Sequence, residues 1–323
     1  MAEAIKLAFD RVEIKPLGIY RNFFRNRDAD VVWLNWFENF DKRSQLKQLL
    51  IKVIKLLTLK VMGMRIVSTF HNRQQHDTEG TLIERLGFYL TFRFSDRIII
   101  LSDESRGIIS ECIGKSSGRK CVLVPHPTYE CLPKQYPEKP GQFRILFFGL
   151  LRPYKNIELV IEMAKQFPDI SFTIAGEPTN ETYEQLLKEK TTGVKNITLI
   201  PHFLTEEEID NLIDEHTLLL LPYNIKSSLN SGVVIHGLCK RINVIVPEIG
   251  TVKQLRNKED VFSYKYEKPE EHSKALAKTI REAYNLYTND YPEFVNRITR
   301  LNQEISTEQS PERLSPSVKK AFE

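Results

Sequence analysis

The sequence predicts an α/β protein with two parallel sheets in tandem, each a Rossmann-like domain, facing one another across a cleft. Three observations predict it. Short apolar runs rich in β-branched and aromatic residues recur along the chain, stretches with helical periodicity separate them, and a proline-rich segment divides the runs into two sets. With 323 residues, 41% of them apolar, the chain can bury a sizeable core. A disulfide-stapled mini-scaffold and a disordered tail are excluded.

In the first set, strands are expected over 31–36, 65–70, 97–101 and 121–125. The second set comprises 144–148, 171–175, 197–200, 218–221 and 243–246. Between the sets, Pro125-His126-Pro127 and the stretch 131–141, with three prolines, cannot continue a strand or a helix. The expected domains are therefore 1–138 and 139–290, followed by a helical segment over 291–323 that packs back on the first domain. Pro292, Pro311 and Pro316 are expected to break the charged helical stretch 268–320. Only about 30 residues precede the first strand, so the N-terminal edge is expected to be short, with Gly18 a poor candidate for a phosphate-binding loop.

Residues 45–60 read as a helix. Leu46, Leu49, Leu50, Val53, Ile54, Leu56 and Leu57 form a broad apolar face, with Lys47, Lys52 and Lys55 mostly opposite. The simpler expectation is a core-packing helix with solvated lysines. The other is an interfacial helix, because Ile51 and Leu59 flank Lys55 on the lysine side.

Lysine and arginine number 46 against 42 acidic residues, a net charge of +4, too mild to mark a nucleic-acid binder. Cys112, Cys121, Cys131 and Cys239 show no CxxC spacing, which fits reduced thiols in a cytosolic protein. The N-terminus lacks the apolar run of a signal peptide, and no window is long and apolar enough to span a bilayer. Any membrane contact is expected to be peripheral.

The chemistry is expected where strands end and helices begin, because in open α/β sheets ligands gather outside the carboxyl ends of the strands. Arg144-Ile-Leu-Phe-Phe-Gly-Leu-Leu-Arg-Pro-Tyr-Lys-Asn156 runs a buried strand into a glycine turn and offers Arg152 and Lys155 just before a helix. Two cations beside a helix N-terminus suit a diphosphate. Neither GxxxxGK[ST] nor GxGxxG occurs. After the apolar strand at 218–221, Ser228, Asn230, Ser231 and Gly232 cluster at a helix start, again suited to an anion.

These segments resemble the GT-B glycosyltransferases, within them the bacterial family 4-like enzymes of surface polysaccharide and glycolipid synthesis. The resemblance is carried by FFGLLRPYKN at 147–156, TIAGEP at 173–178, LLLLPYNIKSSLNSGV at 218–233 with the following NVIVPEIG, and VSTFHNRQQHD at 67–77. It implies a UDP- or GDP-sugar donor held mainly by the second domain. Arg152 and Lys155 would lie on its diphosphate, Ser228, Asn230, Ser231 and Gly232 beside it, and Glu177 near the base. Two glutamates eight apart are common in the family; the corresponding positions here hold Leu229 and Gly237.

In the first domain, the strand at 65–70 runs into His71 and Asn72, followed by Arg73, His76 and Asp77. By resemblance, His71 is the histidine near the reacting sugar, and an imidazole, with a pKa ordinarily near 6.5, can accept a hydroxyl proton. Asn72, Arg73, His76 and Trp36 complete the expected acceptor side, with Asn35-Trp-Phe-Glu38 as an aromatic platform. No metal is expected: His71, His76 and Asp77 lack ligand spacing, and Asp28-Ala-Asp30 precedes a strand instead of following one.

The expectation is a cytoplasmic hexosyltransferase without metal or cofactor. It would act on a saccharide or lipid-linked saccharide, peripheral on the inner membrane, with no nucleic-acid partner. A sugar-nucleotide epimerase of the same fold and a non-catalytic nucleotide-sugar-binding partner remain as alternatives.

Overall fold

A computed structural model describes residues 1–15, 28–41, 43–72, 81–129 and 133–323. The chain divides into two compact units, Met1–Pro127 with Gln309–Glu323, and Thr128–Glu308.

The first unit contains α1 (Ala2–Ala8), β1 (Val31–Asn35), α2 (Gln45–Val61), β2 (Arg65–Phe70), α3 (Leu82–Phe94), β3 (Arg97–Ile100), α4 (Glu104–Ile113) and β4 (Cys121–Leu123). Its sheet is parallel throughout, in the order β1-β2-β3-β4. Sequential parallel strands need crossovers, and α2 and α3 provide two of them. Gln45 donates to Glu84 at the N-terminal ends, and Lys60 pairs with Asp96 at 2.6 Å just past the C-terminal ends, so the two helices run side by side in the same direction.

α2 corrects the core-packing expectation for its faces. Leu49, Leu56 and Leu59 are buried, whereas Leu46, Leu50, Ile54, Leu57 and Val61 are exposed. Most of the expected core stripe thus faces solvent, and Leu59, expected on the outer side, faces the core. The reason lies in two lysines that turn inward. Lys52 donates to the carbonyls of Phe37 and Asn39, with its ammonium 4.0 Å from the Phe40 ring, and burial lowers its pKa to about 8. Lys60 is held by Asp96.

The second unit contains β5 (Arg144–Phe148), α5 (Ile157–Gln166), β6 (Ser171–Ala175), α6 (Glu181–Thr191), β7 (Ile197–Ile200), α7 (Glu206–Glu215), β8 (Leu218–Leu220), α8 (Gly232–Cys239), β9 (Asn243–Pro247), α9 (Gly250–Lys253), β10 (Phe262–Tyr264), α10 (Pro269–Asn289) and α11 (Tyr291–Glu308). All six strands are parallel, in the order β10-β9-β8-β5-β6-β7. The progression runs outward from β5 in one direction and from β8 in the other, so the sheet reverses between these two strands. Its core is one continuous cluster, to which α5 contributes Ile157, Val160, Ile161, Met163 and Ala164. Each large buried side chain there is worth about 1.5–3 kcal/mol relative to exposure.

Residues near the expected boundary at 138 pack within the second unit. Lys134 donates to the carbonyls of Ile213, Asp214 and His216, and Tyr129 N–H reaches Cys239 Sγ. α11 also belongs to this unit, whereas α12 (Pro311–Phe322) packs on α1 of the first, burying Leu314, Val318 and Ala321 beside Ala4 and Ile5. Pro311 opens α12, but Pro316 lies inside it without ending it. Among the described residues, no helix is long and apolar enough to cross a membrane.

Candidate active site

The reversal between β5 and β8 is a topological switch point. Loops leaving the two strands diverge to opposite faces there and open a crevice at the sheet's carboxyl edge. Both segments expected to bind a diphosphate leave from this edge. Asn156, in the left-handed conformation at φ 53°, donates from Nδ2 to the Pro222 carbonyl at 2.9 Å and ties the two loops together.

After β5, Gly149 takes φ 119° and Gly176, after β6, φ 144°. A Cβ on Gly176 would lie 2.0 Å from the Gly149 carbonyl oxygen, so this close approach admits no side chain. The loops are laced by Leu151 N–H to the Glu177 carbonyl and Thr179 N–H to the Leu151 carbonyl. Glu177 thus contributes its backbone to the loop, while its side chain is exposed. The bare α-carbon of Gly149 leaves room for Lys155, whose Nζ lies 3.3 Å from where a Cβ would sit. Lys155 is buried, and burial, with Arg152 adding to it, lowers its pKa to about 8. A buried cation beside a second cation is costly unless an anion joins them.

After β8, Ser231 caps α8: its Oγ accepts from Val234 N–H and donates to the Tyr223 hydroxyl, and its own N–H donates to Thr251 Oγ1. Ser228 is buried, with its N–H on the Asn224 carbonyl, and Asn230 is half-buried. The other two amides of the first turn belong to Gly232 and Val233. A Cβ on Gly237 would meet the end of the Leu219 side chain at 2.8 Å and displace it; Leu229 is buried.

Sequence reasoning missed Tyr266 and the short strand β10 that precedes it. The Tyr266 hydroxyl donates to the Tyr223 carbonyl and accepts from Ile225 N–H, holding the loop that leads to α8. Its ring stacks on His272 at 3.9 Å, and His272 bonds the Tyr264 hydroxyl. The alternation of Tyr264 and Tyr266 is the one signal that marked this face.

In the first unit, β1 and β2 are neighbours in register, with Asn35 opposite Thr69, and just past the two strand ends Trp36 and His71 meet. Their rings stack at 4.0 Å and 10°. Trp36 adopts φ 55°, a conformation costly for a bulky side chain, and remains 42% exposed instead of joining the core. His71 Nε2–H donates to Asn35 Oδ1 at 3.2 Å, leaving Nδ1 as the basic nitrogen of the neutral ring. Asn72 beside it is buried. In the same turn the Glu38 carboxyl is pushed up to about 7 by desolvation, with Lys52 opposing the shift. Arg73, His76 and Asp77 lie outside the described residues, as do Gly18 and Cys131. Asp28 pairs with Lys15 at 3.7 Å.

Residues 129–287 match the family described as Glycosyl transferases group 1. The matched stretch falls within the second unit. The chain is also 25% identical over 246 residues to a GDP-mannose:glycolipid 4-beta-D-mannosyltransferase of Xanthomonas campestris pv. campestris. That match covers 72% of this chain and 66% of the relative, just under two thirds of the relative's length. Among solved structures, Anabaena Alr3699/HepE in complex with UDP and glucose superposes with a TM-score of 0.72 at 14% identity, covering 95% of this chain and 83% of that one. Sucrose-phosphate synthase of Thermosynechococcus elongatus gives 0.70 at 13% identity, covering 98% and 81%. The fold is that of the GT-B glycosyltransferases. The switch point within the matched stretch brings the loop of Arg152 and Lys155 beside the loop that leads to α8.

Proposed function

We propose that the protein transfers a sugar from a nucleotide diphosphate-sugar to a hydroxyl of a saccharide or lipid-linked saccharide. The observation that carries this reading is Lys155, buried against Gly149 at the switch point with Arg152 beside it. As the bond between the anomeric carbon and the diphosphate breaks, negative charge grows on the departing oxygen. Lys155 and Arg152 meet that charge, with the amides of Gly232 and Val233 adding fixed dipoles. The two cations would supply electrostatically what a metal ion supplies elsewhere, which makes the reaction metal-independent in this reading.

On the acceptor side, the hydroxyl oxygen forms the new bond to the anomeric carbon and its proton passes to His71 Nδ1. Trp36 holds the imidazole plane by stacking, and Asn35 holds its tautomer. A GDP-sugar donor with a glycolipid acceptor is suggested by the mannosyltransferase relative, and a UDP-sugar by Alr3699/HepE. Work at the cytoplasmic side of the inner membrane accords with a lipid-linked acceptor.

Calorimetric titration with UDP and GDP tests the donor site. One of them is expected to bind the wild type and to lose binding in Lys155→Ala; folded wild type that binds neither would overturn the reading. Sugar transfer, followed as nucleotide release that depends on acceptor, separates this activity from an epimerase.

A further inference from the structure

We infer that Tyr266 is a positioning residue of the anion site, acting through Tyr223 to fix Ser231 and with it the first amides of α8; the inference rests on the donor-site reading above. The amides of Gly232 and Val233 serve a phosphate only if the turn that carries them is held still. That turn ends an irregular stretch, residues 221–231, between β8 and α8. Within the stretch, the Asn224 carbonyl accepts from the amides of Ser227 and Ser228, and Asn224 Oδ1 accepts from the Lys226 amide, which closes one local turn. Three neighbouring segments hold it from outside. Asn156 donates to the Pro222 carbonyl, and Thr251 accepts from the Ser231 amide while its own amide donates to the Leu229 carbonyl. From beyond β10, Tyr266 takes both the Tyr223 carbonyl and the Ile225 amide.

Thr251 fixes the backbone of Ser231; Tyr266, through Tyr223, fixes its hydroxyl. Tyr223 is bonded at both ends: its carbonyl accepts from the Tyr266 hydroxyl at 3.0 Å, and its own hydroxyl accepts from Ser231 Oγ at 3.2 Å. Ser231 Oγ in turn accepts from Val234 N–H, so the cap is spent on the third amide and the first two remain for a ligand. Tyr223, Tyr266 and Ser231 are all buried, so water does not replace a lost partner. Burial also raises the pKa of both phenols, which keeps their protons in place. The Tyr266 ring is itself held by stacking on His272 of α10. Removing its hydroxyl alone therefore leaves the ring packed and strands a carbonyl and an amide of the loop.

Calorimetric titration of the full chain with UDP, UMP, GDP and GMP tests the inference. The β-phosphate is the group that α8 would meet, and a monophosphate lacks it. Tyr266→Phe is expected to lower affinity for the diphosphate that the wild type binds by about tenfold, and for the matching monophosphate by less than about twofold. Tyr223→Phe cuts the same chain one bond later and is expected to do the same. The double variant is expected to lose about as much as either single one, because both cut one chain. If Tyr266→Phe fails to fold by circular dichroism, Tyr223→Phe carries the comparison of diphosphate with monophosphate. Three results would overturn the inference: unchanged diphosphate affinity in the folded variant, an equal loss for diphosphate and monophosphate, which marks a general loosening, or additive losses in the double variant. Folded wild type that binds neither UDP nor GDP would overturn the donor-site reading and this inference with it, whereas wild type and Tyr266→Phe binding one of them equally overturns this inference alone.

Discussion

Twelve of the exposed large apolar side chains among the described residues lie in the first unit and five in the second, although the second is longer. In the second unit these five, Tyr129, Leu150, Leu186, Phe203 and Tyr284, belong to separate loops and helices, while its strands and α5, α8, α10 and α11 share one continuous core. In the first unit the described buried residues form smaller clusters, and α2 turns most of its leucines outward. Both units rest on parallel sheets, so the sheet does not cause the difference. One continuous core fixes the loops at the β5–β8 switch point, whereas the first unit leaves apolar side chains of α2 and α3 uncovered.

The rigid side of that comparison breaks most severely at Gly176→Ala. The new Cβ collides with the Gly149 carbonyl at a φ unfavourable to it, so a loss of more than about 3 kcal/mol in urea unfolding is expected. Lys155→Ala leaves the fold intact and weakens nucleotide diphosphate binding roughly a hundredfold, about 2–3 kcal/mol, by calorimetry. The same lysine gives the wild type a pH signature. With its pKa lowered to about 8, it loses its proton as the pH rises through that value, so affinity falls there, and Lys155→Ala removes the dependence.

His272 sharpens the comparison at acid pH. Burial lowers its pKa from 6.5 to about 4, so the unfolded chain takes up the proton first as the pH falls. Stability present above 6.5 is lost progressively toward pH 4, by up to about 3 kcal/mol, and His272→Phe flattens that part of the profile in pH-dependent unfolding. The smallest effect belongs to the first unit. Ile54→Gln, on the exposed stripe, is expected to shift unfolding by no more than about 0.5 kcal/mol, whereas a core residue at its place would cost several times that.

Strand positions and the cationic strand end were legible because both are local. A run such as Arg144–Phe148 announces a buried parallel strand, and Gly149, Arg152 and Lys155 follow within one loop. The two-sheet fold followed from the same pattern. The faces of α2 were not legible, because its apolar residues occupy two arcs and the rule that lysines mark solvent fails when Lys52 finds backbone carbonyls and Lys60 finds Asp96. The Trp36–His71 stack depends on the register of β1 against β2, which joins residues 35 apart in sequence. Tyr266 reaches the loop before α8 from a strand of three residues, too short to stand out by periodicity. In each failure the deciding partner was remote in sequence.

The pairing of α1 with α12 has a consequence for biosynthesis. The second unit is one uninterrupted stretch inserted into the first, so it can close its core as soon as residues 128–308 have left the ribosome. The first unit, begun earlier, must keep the cluster around Ala4, Ile5 and Val124 open until Leu314 and Val318 arrive. The order of synthesis and the order of completion are therefore reversed, and the unit with the leucine-lined helices is the one that waits.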